Sequence, residues 1–320
     1  MQSRTELGLL LIIFIYVIGP ILWILCKIIY KALVPERDLQ QRYGAGSYAM
    51  ITGASSGQGK QLALGLAKRG FNLVLIGSAR TLDTITEIKR HYPECQIQHI
   101  QRDFSKSLTD PDWWPEIENC FRVLDISILV NNVGQRSSSN PSHKQDDGQL
   151  RASLITGTYP QIRLTQLACQ HMSQRPSNSC IIFNTAQCIH PTVGLAAYIT
   201  GEISVPYLSV YEAANAFGFY HDNSIITEYG ASNPAIDMLN IMPGAVITEN
   251  TGYLANTPFA VPASQFCSNI FRLMGGNWRG ATCAYWGHEL SVLLIGLAPW
   301  VKPYILQKVG RVISLELSKQ

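Results

Sequence analysis

"YAMITGASSGQGKQLALGLAKRG", Tyr48 to Gly70, decides the fold. Its opening residues, Tyr48 to Ile51, read as a short buried strand. Gly53, Gly57 and Gly59 then turn the chain, and Leu62, Leu64, Leu66 and Ala67 supply the apolar side of a helix. Strand, glycine turn and helix make the first unit of a dinucleotide fold. Residues without side chains let the backbone approach a pyrophosphate lying over the helix N-terminus, where unpaired N–H groups face the anion. A glycine triplet also fits an ordinary strand-to-helix turn, so the rest of the chain must supply the context.

That context is an alternation of strands and helices. "FNLVLIGSAR" (71–80), "IQHIQRDFS" (97–105), "LDISILVNNVG" (124–134), "CIIFNTAQC" (180–188) and "AIDMLNIMPGAV" (235–246) read as five further strands, with helical segments such as "LDTITEIKRHY" and "YPQIRLTQLACQHM" between them. This order predicts an α/β fold, a doubly wound, Rossmann-like parallel sheet in one domain. A chain of 320 residues is long enough for one sizeable core. A net charge of +3 with scattered basic residues argues against nucleic acid as a partner. The eight cysteines form no CxxC pair, which points to reduced core thiols and to no metal site.

The N-terminus differs in kind. "LGLLLIIFIYVIGPILWILC", Leu7 to Cys26, is an uncharged, mostly apolar run about long enough to cross a bilayer as a helix. It exceeds the ~7 to 15 apolar residues of a signal peptide and no small-residue cleavage site follows. The expectation is therefore an N-terminal transmembrane helix within residues 1–34, a linker over 35–47 and the α/β domain over 48–288. Lys27, Lys31 and Arg37 follow the run while Arg4 alone precedes it, which would put the domain on the cytosolic side of a single-pass membrane protein.

"TGASSGQG" (52–59), Asp103 after the third strand, "NNVG" (131–134) and "MPGAVIT" (242–248) stand in the order typical of short-chain dehydrogenases/reductases, which the chain resembles over roughly residues 44 to 300. With the N-terminal run, "ILVNNVG" and the late "GATCAYWGHEL", it is similar to the membrane-anchored branch of very-long-chain 3-oxoacyl-CoA reductases and 17β-hydroxysteroid dehydrogenases. The resemblance implies that Thr52, Gly53, Ser55, Gly57 and Gly59 surround a pyrophosphate, Asp103 meets the adenine, and Asn131 braces the central strand. Gly134, Pro243, Gly244 and Thr248 complete the nucleotide site. The second strand ends with Arg80 available for a 2′-phosphate and no acidic residue for a ribose hydroxyl, which favours NADP over NAD, although a solvated Arg80 fits as well. Gln58 has no evident role.

In the resembled family a serine, a tyrosine, a lysine four residues after it and a helix asparagine carry ketone reduction. Here the serine position reads Thr185 and Ala186. Two tyrosines compete. Tyr198 has the family's spacing from Thr185, whereas Tyr211 opens a stretch like the family's tyrosine helix, after an insertion containing Pro206. Four residues on stand Glu202 and Asn215 respectively, neither a lysine, so no ammonium favours the phenolate. Gly157 falls at the asparagine position.

These departures suggest a degenerate site and a pseudoenzyme: a membrane-anchored, NADP(H)-binding scaffold or accessory subunit. The alternative is a working NADPH-dependent reductase of 3-oxoacyl-CoA or steroid ketones. The apolar segment 289–320, with Trp300, Tyr304, Lys302 and Lys308, fits a membrane-proximal helix, a docking face for a protein partner or a core helix. The polar loop 134–149 reads as flexible, with His143 solvated. Resemblance implies the endoplasmic reticulum, with a mitochondrial membrane as the other location, and pairing into a homodimer.

Overall fold

The computed structural model describes residues 18–134, 146–187, 209–233, 235–249, 251–256, 259–276 and 278–297, with residues 8, 11 and 14. The strand read at Tyr48 is β1, Tyr48–Thr52, and it is followed by β2 (Asn72–Gly77), β3 (Ile97–Gln101), β4 (Ile126–Asn131), β5 (Ser179–Asn184) and β6 (Ile236–Ile241). A seventh strand of this sheet, β9 (Gly280–Thr282), has three residues, too few to show a pattern in sequence. The order is β3-β2-β1-β4-β5-β6-β9, every neighbour pair being parallel. A two-stranded pair, β7 (Val246–Ile247) with β8 (Val261–Pro262), stands beside it.

Parallel strands need crossover helices, and these cover both faces of the sheet. Alternate residues of β2 go to opposite sides: Leu73 and Leu75 join one core, Val74 and Ile76 the other. The first core takes in Leu62 and Leu66 of α3 (Gly57–Lys68) and Phe266 and Ile270 of α8 (Ala263–Leu273). The second takes in Ile117 of α5 (Pro115–Val123) and Leu164 of α6 (Asp147–Met172). Helices α4 (Thr81–His91) and α7 (Ser209–Ser232) complete the crossovers. Because the chain order runs β3, β2, β1 and then jumps to β4, the sheet has a topological switch point between β1 and β4. In open α/β sheets that is where ligands bind.

The expected N-terminal anchor is corrected. Among the described residues no helix is long and apolar enough to cross a membrane, and most of the first half of the Leu7–Cys26 run lies outside them. The described part forms α1, Gly19–Leu33, of 15 residues. It packs against α8 and against α9 (Trp286–Leu297). Lys27 and Lys31, read as charges flanking a span, are instead buried on either side of Glu289 of α9, which is itself fully buried. Lys27 Nζ lies 3.2 Å from Glu289 Oε2, and Lys31 pairs with Oε1. Both ammonium groups also face the Trp278 ring, at 5.9 and 5.4 Å from its centroid, and the Tyr30 hydroxyl donates to the Gly276 carbonyl. Burial opposes ionisation of Glu289, but the two ammonium groups outweigh it and hold the carboxyl below the usual carboxylate range. The other oxygen partners of Glu289 are the Cys283 N–H at 3.0 Å and the Thr282 hydroxyl at 3.3 Å, so the same carboxylate ties α1 to the end of β9. The inferences drawn from the anchor, a single-pass location and a membrane partner, do not stand. Residues 298–320, with Trp300, Tyr304, Lys302 and Lys308, lie outside the described residues.

Between α1 and β1 the linker read at 35–47 contains a short helix, α2 (Leu39–Tyr43), capped by Asp38, which accepts from the Gln40 and Gln41 N–H groups. Arg42 and Tyr43 of this helix both bind Asp237 on β6, at 2.7 and 2.9 Å, pinning it under the sheet.

Candidate functional site

A cleft of about 1050 Å³ opens over the carboxyl ends of β1, β4 and β5. Its floor is the glycine turn. Gly53 (φ 70°) and Gly57 (φ 56°) have left-handed backbone that side chains rarely adopt. At Gly59 the constraint is contact: a Cβ there would lie 2.3 Å from the Gly53 carbonyl oxygen and 2.5 Å from Asn132 Nδ2. The three glycines thus bring the α3 N-terminus against the strand ends, with its N–H groups turned to the cleft mouth.

Asparagine and threonine side chains lock this turn. Thr52 is fully buried, and its hydroxyl accepts the Asn132 N–H at 2.9 Å and the Val133 N–H at 3.0 Å. Asn132 Nδ2 returns to the Thr52 carbonyl at 3.0 Å. Asn184 Nδ2 donates to Asn132 Oδ1 at 2.8 Å and to Gln58 Oε1 at 3.1 Å. Gln58, which had no role in the sequence reading, therefore closes a ladder linking the glycine turn to the ends of β4 and β5. Asn132 and Asn184 were not singled out from sequence; the only signal was the doublet "NN" and an asparagine ending a strand.

The residues expected at a nucleotide fall into two groups. Gly53, Ser55, Gly57, Gly59, Arg80 and Asp103 line the cleft, as do Gly134, Pro243, Gly244 and Thr248. Arg80 is exposed at the rim, whereas the neighbouring Arg102 guanidinium is committed to the Trp113 carbonyl at 3.1 Å and to Glu116 at 2.9 Å. Asp103 accepts from the Ser105 N–H at 3.0 Å and hydroxyl at 2.7 Å, so its carboxylate orientation is set locally. Thr248 shares its hydroxyl with Thr251 at 2.7 Å. Thr52 and Asn131, by contrast, turn away from the cleft: Asn131 Nδ2 donates to Thr165 on α6 at 3.0 Å.

The catalytic candidates divide as well. The Thr185 hydroxyl is buried and donates to Asn240 Oδ1 at 2.8 Å, so its proton points into the sheet. Ala186 lines the cleft. Gln187 Nε2 donates to the His288 carbonyl at 2.6 Å and to Ser291 at 2.5 Å, joining the end of β5 to α9. His288 accepts the Gly244 N–H on Nδ1 at 3.2 Å, which leaves the proton on Nε2, and burial lowers its pKa to about 4, so it is neutral at pH 7. Tyr211 lies in the first turn of α7, and its side chain is outside the described residues. So are Tyr198, Glu202, Pro206 and His143. Asn215, one turn after Tyr211, lines the cleft, as does Gly218. Gly157 faces α7 so closely that a Cβ would lie 2.9 Å from that of Ala214. Among the described residues no cluster of His, Cys, Asp or Glu could hold a metal ion.

These features have relatives. Residues 47–258 match the family model for short chain dehydrogenases, and the chain belongs to that family. It is 31% identical to human 17-beta-hydroxysteroid dehydrogenase type 3, over 84% of this chain and 80% of that one. It is 26% identical to the very-long-chain 3-oxoacyl-CoA reductase of Aspergillus niger, over 88% and 77%. Among solved structures, a 3-oxoacyl (acyl-carrier-protein) reductase from Agrobacterium tumefaciens with NADP bound superimposes with a TM-score of 0.61 at 18% identity, covering 76% of this chain and 95% of that one. A short-chain dehydrogenase from Sphingobium yanoikuyae in complex with NADPH gives 0.60 at 21%, covering 79% and 95%. The fold is that of NADP(H)-binding oxidoreductases.

The expectation of a degenerate, idle site is corrected by the same findings. The relatives that match along most of their length are named as a dehydrogenase and a reductase. Among the described residues the cleft is open and its glycine floor intact. Gly157 and Asn215 change single groups at its wall and do not close it.

Proposed function

We propose that this chain is an NADP(H)-dependent oxidoreductase that interconverts a ketone and a secondary alcohol on a 3-oxoacyl-CoA or a steroid. The observation that carries the reading is the glycine floor: two left-handed glycines, and a third with no room for a Cβ, under a helix N-terminus at the switch point of the sheet. The residues present fit a dinucleotide. Ser55, Gly57 and the α3 N–H groups would hold the pyrophosphate, Asp103 the adenine end, and Arg80, exposed at the rim with no acidic residue beside it in the β2–α4 turn, a 2′-phosphate. Bound there, the nicotinamide supplies or removes the hydride.

The protein then has to deliver one proton to the developing alkoxide and to keep water from the carbonyl. Tyr211 is assigned as the proton donor. Its support is the register of α7, in which Asn215 and Gly218, one and two turns further on, both line the cleft. Asn215 carries no charge, so the position one turn after Tyr211 supplies no ammonium. Thr185 is assigned an indirect part, since its hydroxyl is spent on Asn240.

The test is titration of the purified chain with NADPH, followed by turnover of a long-chain 3-oxoacyl-CoA and of a 17-ketosteroid, each with wild type and Tyr211→Phe. Turnover that falls by about 10² or more in Tyr211→Phe supports the assignment. A folded protein that binds no NADPH at millimolar concentration refutes the whole reading.

A further inference from the structure

Asp222 lies on α7 one turn beyond Gly218, behind the cleft wall, and its side chain is fully buried. A carboxyl so placed needs hydrogen-bond partners, and it has them from three elements. Gln161 of α6 donates Nε2 to Oδ1 at 2.7 Å, Asn240 of β6 approaches Oδ2 through Nδ2 at 3.4 Å, and His221 Nδ1 lies 3.2 Å from Oδ1. Two of these partners lead to the cleft. Gln161 lines it directly, and Asn240 accepts the hydroxyl of Thr185, which also lines it. Gly218 leaves the room: a Cβ there would come within 3.3 Å of Gln161 Nε2.

An ionised carboxylate only accepts hydrogen bonds, whereas a protonated one also donates. Around an ionised Asp222 both amides must turn N–H inward. Gln161 then presents its carbonyl oxygen to the cleft, and Asn240 turns its oxygen to the Thr185 hydroxyl. We propose that Asp222 is a positioning residue for the reductase site, fixing through Gln161 a hydrogen-bond acceptor in the cleft wall that orients the hydroxyl side of the substrate pair or the water beside it. Protonating Asp222 lets the Gln161 amide turn over and replaces that acceptor with a donor. Among the described residues the titratable group packed on Asp222 is His221, while α6 and β6 face it with neutral amides. Burial raises the carboxyl and the His221 and Gln161 contacts lower it in part, leaving it at about 6, so the turnover of the amide falls just below neutrality.

This inference rests on the reductase reading, and the experiment separates the two. The pH dependence of kcat and of KM for NADPH is measured on the full chain for wild type, Asp222→Asn, Gln161→Leu, the double variant and His221→Gln. Wild type should lose kcat as pH falls through about 6 with KM for NADPH unchanged. Asp222→Asn should lose that acid limb, with kcat at pH 8 reduced by about tenfold, inside the ~10² that a misplacement of one ångström costs. Gln161→Leu should match it and the double variant should be no worse than either. His221→Gln, which keeps the carboxylate, should keep the limb and move it to higher pH. An acid limb that persists in Asp222→Asn or in Gln161→Leu overturns the inference and leaves the reductase reading standing. A wild-type chain that binds NADPH but turns over no ketone removes both.

Discussion

Glu289 stands between two buried ammonium groups, so the cluster of Lys27, Lys31 and Glu289 carries a net charge of +1 with all three side chains at 8% exposure or less. Its two kinds of member should respond oppositely to neutralisation. Glu289→Gln keeps the shape and an oxygen for the Cys283 N–H but leaves two cations facing each other out of water. Removing one partner from a buried ion pair costs about 3 to 5 kcal/mol, and at ~2 to 4 °C per kcal/mol for a chain of this size the melting temperature should fall by on the order of 10 °C. Lys31→Met removes the excess cation and leaves Lys27 paired at 3.2 Å. Its apolar replacement packs against Trp278, and the change should be within about 1 kcal/mol of neutral or stabilising. Circular-dichroism melts of both variants at pH 7 decide the matter. Equal losses for the two would refute the reasoning, because they would mean that the lysines are solvated and α1 is not docked by charge.

Gly59→Ala should cost about 1 to 3 kcal/mol and abolish NADPH binding, since its Cβ meets backbone rather than a movable side chain; calorimetry checks it against a Gly230→Ala control, which meets nothing within 4 Å. Arg80→Ala should weaken NADPH and leave NADH affinity unchanged, as read by nucleotide fluorescence. Asp222→Asn should stabilise the protein at alkaline pH. The folded-state carboxyl titrates at about 6, above its unfolded value, so the penalty is absent when both states are protonated below about pH 4 and is complete above about pH 6. It amounts to about 3 kcal/mol, and melts at pH 4 and pH 8 should show a gain at the higher pH alone.

Much of the sheet was legible because its signals are local. The apolar runs of β1, β2 and β4 and the glycines at 53, 57 and 59 are visible within windows of ten residues, and the order of the strands fixes the switch point. What was missed depends on partners remote in sequence. Lys27 and Lys31 look like the flank of a spanning helix until Glu289 is placed between them. Nothing in the sequence around Asp222 signals its burial; Gln161 and Asn240, 61 and 18 residues away, close around it. Thr185 stands at the family's serine position, but its buried hydroxyl has one proton, and both acceptors within reach of it, Asn240 Oδ1 and the Ile241 carbonyl, lie inside the sheet. The glycine turn was legible as a turn, whereas its bracing by Asn132, Asn184 and Gln58 required the three loops to meet.

The pairing of α1 with α9 also bears on how the chain is made. Lys31 and Glu289 are 258 residues apart, so at ~5 to 20 residues per second α1 leaves the ribosome roughly 13 to 50 s before its counter-charge exists. Throughout that interval Trp23, Ile29 and Leu33, exposed even in the finished fold, are joined by the uncovered face that will later meet α8 and α9. The nucleotide cleft, built from residues up to Thr251, can form without it. Docking of α1 is then a late event that reports synthesis of α9, and nascent chains stalled before Glu289 should hold a formed sheet with α1 open to protease.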